Sequence, residues 1–138
     1  MVGIVVVSHS ERAAEGIAEI AAEMAGDTRI EPVGGDGKGG IGTVPDAIED
    51  AIDAAAGGSG NGADGSDGES DGVVVLVDLG SAVMNADVAV EMSGAEAVIA
   101  DAPVLEGAVN AAVAAADPSA TMESVREQAE AARDMEKL

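Results

Sequence analysis

Two stretches of the chain are apolar without interruption, Val2-Gly3-Ile4-Val5-Val6-Val7 and Val73-Val74-Val75-Leu76-Val77. A strand with one wet face alternates apolar and polar residues. Runs without alternation predict strands buried on both faces, at about Val2–Val7 and Val73–Val77. After the first run the apolar spacing becomes helical. Ile17, Ile20, Ala21 and Met24 fall at i, i+3, i+4 and i+7, which predicts a helix over Glu11–Ala25 with Gly26 as its stop. Ser8-x-x-Glu11 reads as a capping box at its start. A second strand is expected at about Arg29–Val33, and Pro32 assigns it to a sheet edge. A second helix over about Val44–Ala55 has Pro45 in its first turn and Thr43 as its expected cap. A third, over about Ala82–Met92, has Ser81 in the same position. A short strand at Ala97–Ala100, a helix at Leu105–Ala116 and a last helix at Thr121–Met135, beyond Asp117-Pro118, complete the pattern.

The alternation of buried strands and amphipathic helices predicts an α/β fold. We expect an open, mainly parallel four-stranded sheet with helices on both faces. Right-handed crossovers and an edge position for strand two give the order 2-1-3-4, with a switch point between strands one and three. The 138 residues make one domain, 1–138. Within it, 57–72 is a Gly/Ser/Asp-rich stretch that reads as a flexible, solvated insertion.

Two polar residues follow the two buried strands: His9 after the first and Asp78 after the third. Adjacent parallel strands lie less than about 5 Å apart, so side chains from their ends can meet. A carboxylate on one imidazole nitrogen fixes the tautomer, leaving a lone pair on the other for use as nucleophile or base. The start of the first helix lies beside His9, and its free amides favour an anion such as phosphate. Ser8, Ser10, Thr43 and Ser81 are further hydroxyl donors at strand and helix ends. These parts suit reversible phosphorylation of His9. The bland reading of the same residues is that His9 fills a turn and Asp78 caps a helix. Gly35-x-Gly37-x-x-Gly40 spells a dinucleotide fingerprint, but it follows strand two rather than strand one. It reads instead as a mobile loop over the site. Glu106, in the first turn of the fourth helix, is expected to support that helix's dipole.

Composition narrows the partners. The chain has 27 acidic and 6 basic residues, a net charge of −21, and the acid is spread along its length. Nucleic acid needs a basic footprint, and an anionic membrane surface repels such a chain, so neither is expected as a partner. At about 1 M salt the screening length falls to roughly 3 Å, which removes most of the self-repulsion. We therefore expect adaptation to a salty cytoplasm. Apolar residues make up 47% of the chain, yet it contains no Phe, Tyr or Trp, so its core must be built of small aliphatic side chains. With no Cys and one His, no metal site and no disulfide framework are expected. The chain lacks a basic, long-apolar start, and a cytoplasmic location is expected.

Four segments, in order and in register over nearly the whole chain, carry a family resemblance. They are Val6-Val7-Ser8-His9-Ser10, Gly42-Thr43, Asp78-Leu79-Gly80-Ser81-Ala82 and Ala102-Pro103-Val104-Leu105-Glu106-Gly107. The chain resembles the mannose-type IIA (EIIA) domains of the phosphotransferase system. Within them it is similar to the phosphotransfer subunits of dihydroxyacetone kinase, the DhaM family. The resemblance implies that His9 is the phosphoryl carrier, as a tele-phosphohistidine. It implies that Asp78 orients the ring and that Ser8, Ser10, Thr43, Gly80 and Ser81 are site neighbours. The implied donor is HPr, charged by Enzyme I from phosphoenolpyruvate. The implied acceptor is ADP on the nucleotide-binding subunit of the kinase, whose other subunit holds dihydroxyacetone. The chain is then a component of a phosphoenolpyruvate–glycerone phosphotransferase, a homodimer with no tightly bound cofactor.

The chain departs from the family pattern in the order Val104-Leu105 and in the 57–72 insertion. It also lacks the HPr and Enzyme I domains that some relatives carry, so a separate donor is expected. Docking is expected to use apolar contacts, with Val83 and Met84 as candidates. Competing readings are an EIIA component for another sugar, a regulatory module, a dinucleotide binder and a small metal chelatase. The last ordinarily needs a second histidine.

Overall fold

The computed structural model describes residues 1–57 and 70–138, so most of the 57–72 insertion lies outside the described residues. Four strands form one parallel sheet in the order β2-β1-β3-β4, as the pattern predicts. They are β1 (Gly3–Ser8), β2 (Ile30–Gly34), β3 (Val73–Val77) and β4 (Ala97–Ile99). Pro32, which cannot donate to a ladder, lies opposite Val6 on the edge strand.

The helices are α1 (Glu11–Ala22), α2 (Pro45–Ala55), α3 (Ser81–Met92), α4 (Val104–Ala115) and α5 (Met122–Glu130). The central strands feed two cores because successive side chains point to opposite faces. Ile4, Val6, Val74 and Leu76 pack with Ala14, Ala21, Ala111 and Val125, from α1, α4 and α5. Val5, Val7, Val73 and Val75 pack with Ile48, Ile52, Ala82 and Ala89, from α2 and α3. Both cores are aliphatic. Alanine faces on the helices bring backbone close to the sheet, so the packing works without large side chains.

Several element ends differ from expectation. Helix α1 stops at Ala22 rather than Ala25, because the next turn tightens: Met24 N–H donates to Ala21 O and Ala25 N–H to Ala22 O. Gly26, at φ +59°, then reverses the chain, the stop expected of it. The last helix begins at Met122 and passes into a 3₁₀ turn, Ala131–Asp134, instead of running unbroken to Met135. The capping box at Ser8 is absent. The N-cap of α1 is Ser10, whose Oγ accepts from Ala13 N–H at 3.2 Å. Neither Thr43 nor Ser81 caps a helix: α2 starts after Val44 and α3 after Gly80, both without a side-chain cap. Glu106 lies in the first turn of α4 as expected and forms an ion pair with Lys137.

Candidate functional site

The register of the two central strands builds the site. Val7 lies beside Val77, so Ser8 and His9 leave the sheet next to Asp78. The Asp78 N–H donates to Val7 O at 3.0 Å and ties the two strand ends together. Ser8 remains 1% exposed. Its hydroxyl donates to Asp78 Oδ2 at 2.9 Å and accepts the Ser10 N–H at 3.1 Å. This local satisfaction permits a polar residue at the buried end of an apolar strand.

Asp78 also holds His9. Oδ2 accepts the His9 backbone N–H at 3.0 Å, and Oδ1 lies 3.0 Å from Nδ1. Partial burial pushes the Asp78 carboxyl upward. Against it act the backbone N–H of His9, its ring nitrogen, the Ser8 hydroxyl and the ring's charge, and together they hold the carboxyl below its ordinary value. An ionised carboxylate can only accept, so Nδ1 carries the ring proton and donates it to Asp78. Nε2 then keeps a lone pair, 2.9 Å from the Ser81 hydroxyl, which donates to it. The His9 side chain is 20% exposed, so this edge of the ring can be approached from solvent.

The Gly-rich loop between β2 and α2 is attached to the same turn. The Gly42 N–H donates to His9 O at 2.8 Å. Within the loop, Asp36 Oδ1 accepts the Lys38 and Gly40 N–H groups at 2.8 and 2.9 Å. Those bonds keep the Asp36 carboxyl below its usual range. Gly34, opposite Ser8 in the ladder, is required by space: a Cβ there would lie 2.5 Å from Ser8 O and 2.8 Å from Ser10 O.

The structure thus brings Ser8, His9, Asp78 and Ser81 into one hydrogen-bonded group. Ser10 caps the adjoining helix, and Gly80 is the residue from which α3 starts. Thr43 is held from another direction. Its Oγ1 accepts from Asn85 Nδ2 at 2.7 Å, and the same amide lies 3.3 Å from its carbonyl oxygen. Sequence reasoning missed Asn85. The available signal was its spacing, one helical turn beyond Ser81 on the same face of α3.

Two open grooves reach residues next to His9, one at Ser10 and the other at Asp78. One, of about 770 Å³, runs between α1 and the Gly-rich loop and is lined by Ser10, Arg12, Gly40 and Ile41. The other, of about 450 Å³, lies beyond Asp78 and is lined by Leu79, Val83, Asp87 and Asp101. Ile41 and Leu79 are exposed in their walls, and Met84 is exposed on α3. Among the described residues no helix is long and apolar enough to cross a membrane.

Comparison with known proteins agrees with this architecture. The family model EIIA-man, described as the PTS system fructose IIA component, matches residues 3–127. A Lactococcus lactis protein, "PTS-dependent dihydroxyacetone kinase, phosphotransferase subunit DhaM", is 36% identical over 128 residues, 93% of each chain. A Listeria innocua protein, "PEP-dependent dihydroxyacetone kinase 1, phosphoryl donor subunit DhaM", is 38% identical over 106 residues, 77% of this chain and 75% of that one. The solved structure described as "unknown function protein EF1359" superposes with a TM-score of 0.72 at 26% identity, covering 94% of this chain and 92% of that one. The match over nearly all of the sheet and helices, together with these relatives, makes the chain a member of the EIIA-man family, the PTS system fructose IIA component.

Proposed function

We propose that this chain is the phosphoryl carrier of a phosphoenolpyruvate-dependent dihydroxyacetone kinase, with His9 Nε2 as the atom that carries the phosphoryl group. The observation that carries the reading is the polarised ring: Nδ1–H donates to ionised Asp78, while the Nε2 lone pair faces outward beside the Ser81 hydroxyl. The names of the relatives from Lactococcus lactis and Listeria innocua support the substrate class.

In the charging step, the Nε2 lone pair attacks the phosphorus of the phosphohistidine on HPr. The new N–P bond forms as the donor's N–P bond breaks, and the electron pair returns to the donor ring. The developing imidazolium keeps its Nδ1 proton, and Asp78 offsets its charge. In the second step, a β-phosphate oxygen of ADP, held on the nucleotide-binding subunit of the kinase, attacks the same phosphorus. The Nε2–P bond breaks and Nε2 recovers its lone pair. Phosphoryl transfer demands in-line approach and charge stabilisation more than covalent work by the protein. Ser81, Ser10 and the first amides of α1 supply donors, and Thr43 belongs to the same rim. The ring is partly exposed and grooves reach its neighbours Ser10 and Asp78, which suits successive docking of two large partners. Exposed Met84 and half-buried Val83 provide apolar contact there.

Incubation with Enzyme I, HPr and phosphoenolpyruvate, followed by intact-mass measurement, tests the first step. A phosphate adduct on the unaltered chain, absent from His9→Ala, is expected, and no adduct sinks the reading. Discharge to ADP only when the kinase subunits are present tests the second. An adduct that persists with those subunits moves the protein to another sugar system or to a regulatory role.

A further inference from the structure

We infer that Asn85 is a positioning residue for the phosphoryl group on His9, acting through Thr43. The inference rests on His9 being the carrier and adds a residue to that machinery.

Asn85 spends its amide on one residue. Nδ2 lies 2.7 Å from Thr43 Oγ1 and 3.3 Å from Thr43 O. A carbonyl oxygen can only accept, so the nitrogen end of the amide must face Thr43, and its two hydrogens serve the two oxygens. The consequence falls on Thr43. Its hydroxyl oxygen accepts from Asn85, so its hydroxyl hydrogen is left to donate elsewhere. A threonine hydroxyl alone can turn either way. This one must turn its hydrogen away from Asn85, where it can be donated.

The placement says where that donor is useful. Ser81 and Asn85 stand one turn apart on the same face of α3, where side chains four residues apart are about 5–6 Å from each other at Cβ. Ser81 reaches His9 Nε2 at 2.9 Å, and Asn85 reaches Thr43. The residue before Thr43 is itself bonded to His9, through Gly42 N–H to His9 O at 2.8 Å. Thr43 is therefore bonded to the helix that supplies the Nε2 hydroxyl, and its neighbour Gly42 to the backbone of His9. Thr43 is half-buried and caps no helix, so a local structural role does not account for its hydroxyl. When Nε2 bonds to phosphorus its lone pair is consumed, and the Ser81 hydroxyl must turn to a phosphoryl oxygen. A second, pre-oriented donor from Thr43 then serves another oxygen of the same group, without reorganisation during transfer.

The test charges the full chain with potassium phosphoramidate, which needs no carrier protein. The Nε2–P bond forms, the P–N bond of phosphoramidate breaks, and ammonia leaves. Rates are read by intact mass for the unaltered chain, Thr43→Val, Asn85→Ala and the double variant, with Thr43→Ser as the conservative control. Asn85→Ala and Thr43→Val are each expected to charge about tenfold more slowly. The double variant is expected to match Thr43→Val, and Thr43→Ser to stay near the unaltered rate. If Asn85→Ala does not fold, the isosteric Asn85→Asp, which removes both donors, takes its place. An Asn85 variant that folds and charges at the unaltered rate overturns the inference, as do effects that multiply in the double variant. A chain that charges normally from phosphoramidate but not from phosphorylated HPr leaves Asn85 in place and removes the donor assignment instead.

Discussion

Asp78 grips His9 at two points: Oδ2 accepts the backbone N–H at 3.0 Å, and Oδ1 meets ring Nδ1 at 3.0 Å. One carboxylate from the end of β3 thus fixes both where residue 9 leaves the sheet and which ring nitrogen carries the proton. Asp78→Asn keeps the shape but presents an amide in place of an acceptor. If its N–H₂ faces Nδ1, the ring proton moves to Nε2 and the nucleophilic lone pair is lost. We expect phosphoryl transfer to fall by about 10²–10⁴-fold, as for a triad that loses its carboxylate. Single-turnover charging by phosphorylated HPr measures this, and a loss below threefold would count against the tautomer argument.

The same carboxylate gives a pH dependence of stability. Its folded-state value lies below its unfolded one, because its hydrogen bonds to His9 and Ser8 and the ring's charge outweigh partial burial. Its stabilising contribution is therefore complete above the unfolded value of about 3.9, and is lost as pH falls through the folded value. Chemical unfolding of the unaltered chain and Asp78→Asn at matched salt should show a gap in favour of the unaltered chain at pH 5. The gap should close below about pH 4. A gap that widens as pH falls below about 4 contradicts the assigned direction.

Ser81 should separate phosphoryl transfer from folding. It is the first residue of α3, exposed, and caps nothing, but its hydroxyl lies 2.9 Å from Nε2. Ser81→Ala should leave the melting temperature within error and slow charging by about tenfold. Thermal melts read beside charging rates check both halves, and a large fall in melting temperature would reassign Ser81 to structure.

How far the site was legible in sequence follows from which interactions are local. Unbroken apolar runs read directly as β1 and β3, and Pro32 read directly as an edge. Their order then brought His9 and Asp78 together. Thr43 and Ser81 were legible as hydroxyls beside the site, but their partners were not. A hydroxyl before a helix looks the same whether it caps that helix or reaches across to another element. Here His9 claims Ser81 and Asn85 claims Thr43, both across more than 40 positions of chain. Asn85 itself was missed because its one signal, the spacing from Ser81, does not name a tertiary partner. The early end of α1 at Ala22 was illegible for a related reason: tightening of a last turn leaves apolar spacing unchanged.

Gly34 is expected to be intolerant of substitution. A Cβ would overlap Ser8 O and Ser10 O, both backbone atoms of the turn that carries His9. Gly34→Ala should cost about 1–3 kcal/mol of stability and also slow charging, because relief of the overlap displaces Ser8 and Ser10. Denaturant midpoints and single-turnover rates measure the two effects, and unaltered values for both would show that the turn yields freely.

Salt should act on the whole fold. A charge of −21 on 138 residues opposes compaction, and screening at molar salt removes most of that repulsion. The melting temperature should rise steadily from 0.05 M to about 2 M KCl. Full stability at the low end contradicts adaptation to a salty interior.

Because the chain has no Phe, Tyr or Trp and a single histidine, the only aromatic ring in the molecule is that of His9, the proposed carrier. In a proton magnetic resonance spectrum taken in deuterium oxide after the N–H protons have exchanged, the ring C–H signals of His9 therefore stand alone, without isotope labelling. Protonation of the ring, attachment of phosphate at Nε2 and loss of the Asp78 contact should each move those signals separately. Near-ultraviolet absorbance and intrinsic fluorescence, meanwhile, belong to whatever aromatic-containing partner is added. The same mixture can thus be watched from both sides at once, with each partner transparent where the other reports.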